Sequence, residues 1–168
     1  APLTLTGALD PAFSGGAPGA SLGLRLQDAT LGDSSVPRTL TLTSASNAVR
    51  MADTRLYSGG APIRVEASLS GSSNDQADGL ALFNVVLDAS SPAGGSATGT
   101  VEVEAISRQV SAAFTKRAIS MQGTLDLRSD AGVNVRGRAD GMPGAGDLAP
   151  VGLSIGVDNA TTLTTGGP

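Results

Sequence analysis

The chain has 168 residues, a formal net charge of −4, 15 % charged residues, 40 % hydrophobic residues and only 2 % aromatic ones. That length suits one domain with a thin aliphatic core, and its eleven basic residues make no stripe of the kind phosphate contacts require, so nucleic acid is not an expected partner. The longest apolar run, Leu80 to Leu87, is broken by Asn84 and falls far short of the roughly 20 residues that cross a bilayer as a helix, so no membrane span is expected.

Period-two alternation of apolar residues dominates from the first residues on, and it predicts strands. Residues 1–20 begin with Leu3, Leu5 and Leu9 in "PLTLTGAL" and continue into the Pro/Gly-rich "DPAFSGGAPG". This layout fits two arrangements. One is a first strand of the chain's own sheet followed by a loose loop; the other is an arm whose alternate leucines pair with a neighbour's sheet edge.

Leu22, Leu24 and Leu26 continue the pattern, then Leu40 and Leu42. Residues 47–57 read equally as a short helix stopped by Gly59-Gly60 or as a strand. Ile63, Val65, Ala67 and Leu69 alternate against Arg64, Glu66 and Ser68, giving one dry face and one wet one. Residues 79–89, with Phe83, Val85 and Leu87 opposing Leu82 and Val86, predict a central strand covered on both sides. Further strands are expected over 99–106, 119–129, 132–139 and 151–158, while 107–117 again reads as helix or strand. Asp130-Ala131-Gly132 predicts a three-residue hairpin with Gly132 in the left-handed position.

These elements imply an all-β fold: an antiparallel β-sandwich or flattened barrel of about nine to ten strands, with up to two short helices, in a single domain over 1–168. The phrases Gly99-Thr100-Val101-Glu102-Val103 and Gly123-Thr124-Leu125-Asp126-Leu127 resemble each other. They recur too few times to predict a solenoid.

The chain contains neither His nor Cys, which removes Ser-His-Asp and Cys-His catalysis, imidazole and thiolate metal ligation, and disulfides. Lys116 is the only lysine, and its distance from Ser111 does not match a Ser-x-x-Lys pair, so it reads as a solvated cation. Glu102 and Glu104 share one strand face and read as part of a wet surface paired with Arg136 and Arg138, rather than as an acid/base pair. Asn74, Asp75 and Asp78 lack the alternating spacing of a calcium loop. No catalytic residue, metal or cofactor is therefore expected.

Low charge, one lysine and abundant Ser, Thr and Gly suggest an exported chain of the cell envelope or extracellular space; Ala1 fits a mature form released after signal cleavage, and equally the removal of an initiator Met before Ala. The leading expectation is a non-enzymatic structural or interaction domain, a subunit of a fibre or layer that pairs strand edges with protein partners, itself included. The alternative is a binding module or carrier for an apolar or carbohydrate ligand, in which Leu82, Phe83, Val85 and Val101 would line a cavity.

Overall fold

The computed structural model describes residues 3–6, 24–44, 48–69, 78–93, 95, 98–108, 110, 115–155 and 162–166. They form thirteen strands, and among the described residues there is no helix. In chain order these are β1 (Leu3–Thr6), β2 (Leu24–Gln27), β3 (Thr30–Gly32), β4 (Leu40–Ser44), β5 (Val49–Ala52), β6 (Arg55–Tyr57) and β7 (Ile63–Leu69). Next come β8 (Leu80–Ala89), β9 (Thr100–Ser107), β10 (Arg117–Ser129), β11 (Gly132–Ala139), β12 (Val151–Ile155) and β13 (Thr162–Gly166). The open choice over 47–57 resolves to two strands, β5 and β6, separated by a bend at Asp53.

Every ladder between these strands is parallel. The expected antiparallel sandwich or barrel is therefore wrong. Alternating side chains record only that a strand has one inner and one outer face, which is equally true of either strand direction.

The first sheet runs β1-β4-β7-β9-β11; the second runs β12-β10-β8-β5-β2, with β3, β6 and β13 alongside. Each strand of the first sheet is followed by one or two strands of the second before the chain returns one step along. The molecule is thus a parallel solenoid of five rungs, and the expectation against a solenoid is corrected too. Unequal rungs hid the repeat: the register partners Leu3, Leu40, Ile63, Val101 and Val133 are separated by 37, 23, 38 and 32 residues.

Four of the rungs bend within the second sheet at a residue whose backbone is left-handed. These are Asp28 (φ 50°), Asp53 (φ 49°), Asn84 (φ 52°) and Gly123 (φ 73°), stacked one rung above the next. Asp and Asn tolerate this conformation because their short polar side chains bond locally, and Gly tolerates it because it has no Cβ. Asn84 holds the stack together, its Nδ2 donating to Asp53 Oδ1 at 2.9 Å while its Oδ1 accepts from Thr124 N at 3.0 Å.

The bend resets the phase of the alternation. In β8 the buried residues are Leu80 and Leu82 before Asn84, then Val85, Leu87 and Ala89 after it. Phe83 consequently points outward and is 40 % exposed, against the expectation of a strand covered on both faces.

The predicted hairpin at 130–132 is instead the corner that carries the chain from β10 in the second sheet to β11 in the first. Gly132 does have a positive φ, 138°. Ser129 organises the corner: its Oγ donates to Gly99 O at 2.6 Å and accepts from Ala131 N and Gly132 N at 3.1 and 2.7 Å.

Between the sheets lie columns of aliphatic side chains in register. Leu40, Ile63 and Val101 descend the first sheet, and Leu24, Val49, Leu80 and Ile119 the second, all fully buried and all part of one cluster. A second inner column, Leu56, Leu87 and Leu127, lies beyond the bend. With about 1.5–3 kcal/mol from each buried aliphatic side chain, these columns supply the cohesion that a chain almost free of aromatics needs.

Candidate functional site

Three places bring polar or uncovered groups together. The first is the outer face of the first sheet, where register sets Arg64 beside Glu102 and Glu102 beside Asn134, with Glu66, Glu104 and Arg136 in the next column. Arg64 Nε donates to Glu66 Oε1 at 2.6 Å and lies 3.8 Å from Glu102 Oε2. The Glu66 hydrogen bond and its charge raise the Arg64 guanidinium above its ordinary value.

Stacking places Glu66 directly against Glu104, a like-charge contact that Arg64 and Arg136 offset. Glu104 thus has Arg136 opposite it as expected, whereas Arg138 lies opposite Ile106 and bonds Asp140 at 2.6 Å. A depression of about 240 Å3 lies among Arg64, Glu102, Glu104, Asn134 and Arg136. It is open and charged on both signs. Exposed pairs of this kind contribute about 0.2–1 kcal/mol each, and among the described residues no group of three or more metal-ligating side chains gathers here or elsewhere.

The second place is the start of the second sheet's strands. Asp78, in the residues leading into β8, sits 3.7 Å from Arg117 Nη1, with both side chains mostly buried. Burial pushes the Asp78 carboxyl above its ordinary range, while Arg117, a hydrogen bond from Ser120, and Arg50 pull it down. Asn74 and Asp75, considered with Asp78 as loop oxygens, lie outside the described residues.

Lys116 is 1 % exposed and not the solvated cation expected. Its own carbonyl accepts from Val151 N at 2.8 Å, and Gly79 N donates to the next carbonyl, Arg117 O, at 2.9 Å, so neighbouring rungs enclose it. Neither Asp78–Arg117 nor the burial of Lys116 was signalled in sequence, because both depend on how loops of unequal length stack.

The third place is the last rung. Leu153 and Ile155 of β12 continue the inner columns of Ile119 and Met121, which are fully buried, yet they are 39 % and 46 % exposed. Val133 and Val135 of β11, facing them across the rung, are only partly buried. At the opposite end Leu24 of the edge strand β2 is fully buried, whereas Leu26 of β2 and Leu31 of β3 are only partly buried.

Of the residues singled out as a pairing arm, Leu3 and Leu5 lie in β1, which pairs with β4 of the same chain in the register Leu3 to Leu40 and Leu5 to Leu42. Leu9 lies outside the described residues. Among the described residues no helix is long and apolar enough to cross a membrane. Comparison of the chain with family models, with curated proteins and with solved structures gives no match.

Proposed function

We propose that this chain is a non-enzymatic, exported structural or interaction domain of the cell envelope or extracellular space, which joins protein neighbours through the open strand edges of its solenoid. One observation carries the reading: among the described residues β11 and β12 stand at the edges of their sheets, and Leu153 and Ile155 of β12 are exposed. A parallel edge of this kind is a template for another strand. Lack of His and Cys, low charge and Thr-rich strands support the same reading, because neutral hydroxyl surfaces can pack closely at little desolvation cost.

The apolar-carrier alternative is less well supported. Leu82, Val85 and Val101 are packed into the common core, and Phe83 is on the outside.

The test is light scattering over a concentration series, combined with amide hydrogen exchange. Association that protects the amides of edge strands supports the reading. A monomer at every concentration, or association that leaves all edge amides exchanging freely, contradicts it.

A further inference from the structure

The chain contains two Asp-Gly pairs, Asp78-Gly79 and Asp140-Gly141, and no Asn-Gly. Asp-Gly is the aspartyl sequence most open to cyclisation, because glycine has no side chain to shield its amide nitrogen. That nitrogen attacks the aspartate Cγ. The new C–N bond forms as a carboxyl C–O bond breaks, and the hydroxyl leaves as water with the amide proton. Water then opens the succinimide ring: attack at the side-chain carbonyl restores aspartate, and attack at the main-chain carbonyl leaves an isoaspartyl link through Cβ and Cγ. Water is the only species lost and regained, so the conversion needs no other reagent.

The fold treats the two pairs differently. Gly79 is buried between rungs, its N donating to Arg117 O at 2.9 Å and its O accepting from Val49 N at 2.8 Å. A Cβ added there would lie 2.8 Å from Ala118 O, so the backbone is closely enclosed. The Asp78 side chain is mostly buried as well, 3.7 Å from Arg117 Nη1. Attack on Asp78 Cγ therefore requires the ladder to open first.

Asp140-Gly141 lies just past the end of β11, where the chain leaves the ladder. Asp140 N still donates to Ser107 O at 2.8 Å, but among the described residues Gly141 N makes no hydrogen bond. The residues that follow are exposed, Met142 to 91 %. Asp140 Oδ1 accepts from Arg138 Nε at 2.6 Å, and Arg108 Nε lies 3.9 Å from Oδ2. Both arginines are more than half exposed, and exposed pairs tether a side chain only weakly.

We infer that Asp140-Gly141 is a site of spontaneous isoaspartate formation in the native protein, and that the rung ladder protects Asp78-Gly79. The product lengthens the main chain by one methylene at the exit of β11 and moves the carboxylate onto Cα, away from Arg138 and Arg108. This modification is independent of the edge-pairing reading and stands or falls without it.

The experiment ages the full chain at neutral pH, native and in guanidinium chloride. Isoaspartate at each pair is measured by peptide mapping with electron-transfer fragmentation, which separates the two isomers of identical mass. In the unfolded chain both pairs should react at similar rates. In the native chain the product should accumulate at 140, with 78 slower by about tenfold or more, since two backbone hydrogen bonds must open there first. Gly141→Ala, at a position whose φ is not positive, should cut the product at 140 several-fold with unchanged far-ultraviolet circular dichroism. Equal accumulation at 78 and 140 in the native chain overturns the inference. So does an absence of product at 140, whether or not the unfolded chain reacts there, or a product at 140 undiminished in Gly141→Ala.

Discussion

Asn84 is the position where backbone strain and side-chain bonding can be separated by substitution. Its φ of 52° is left-handed, and its amide joins Asp53 in the rung before to Thr124 in the rung after. Asn84→Gly keeps the backbone at ease and removes both hydrogen bonds, of which the Thr124 bond satisfies a backbone amide; the expected loss is about 1 kcal/mol. Asn84→Ala removes the same bonds and forces a Cβ into the left-handed region, adding about 1–2 kcal/mol, for a total of about 2–3 kcal/mol. In a chain of this size that separates the two variants in melting temperature by about 2–8 °C. Asn84→Asp retains the acceptor for Thr124 but sets a second carboxylate against Asp53, so it should melt lower than the wild type at neutral pH. Thermal melts of the three variants at pH 7 provide the test. Equal losses for Gly and Ala would refute the left-handed corner as the structural device that bends the rung at Asn84.

Leu87→Ala should cost about 2–5 kcal/mol in denaturant unfolding, because Leu87 is fully buried in the column between Leu56 and Leu127. Asp78 has a native pKa raised chiefly by burial, so the native state holds its proton more tightly than the unfolded chain does. Its contribution is full below the ordinary carboxylate range and is lost as pH rises through the native value. Asp78→Asn, which stays neutral, should therefore gain stability relative to the wild type as pH is raised from about 3 to about 7; a gap that narrows instead would refute burial as the dominant effect. Arg64→Ala should change stability by no more than about 1 kcal/mol, since its pairs with Glu66 and Glu102 are exposed; a larger loss in urea titration would make that face a structural element rather than a solvated one.

Strand positions were legible in the sequence because apolar residues alternate wherever one face is buried. Strand direction was not, because the same alternation serves parallel and antiparallel neighbours. The rung repeat was present in a form easy to miss: Leu24-x-Leu26-x-Asp28, Val49-x-Met51-x-Asp53, Leu80-x-Leu82-x-Asn84 and Ile119-x-Met121-x-Gly123 each end on a residue that accepts a left-handed backbone. Loops of different length spread these four phrases unevenly, so a search for a fixed period passes over them. Asn84 then misled the phase of its strand. It was read as an interruption on a flat strand, when it is the bend after which inner and outer faces exchange. At the candidate sites, the Glu104–Arg136 pairing was accessible from two-residue spacing alone. The Asp78–Arg117 contact and the exposure of Leu153 and Ile155 follow from which rung lies next to which, information that local patterns do not carry.

The central claim is that the rungs stack parallel and in register. Because the chain contains no Cys, spin labels can be placed at chosen pairs without background. Thr41 and Asn134 lie three strands apart in the first sheet, as do Thr43 and Arg136. Electron–electron distance measurement should return the same separation for both pairs, corresponding to about 14 Å between backbones. Unequal separations, as an antiparallel arrangement that sets Thr41 opposite Asn134 requires, or equal separations well above that value, as a slip of β4 along β11 requires, would contradict the solenoid.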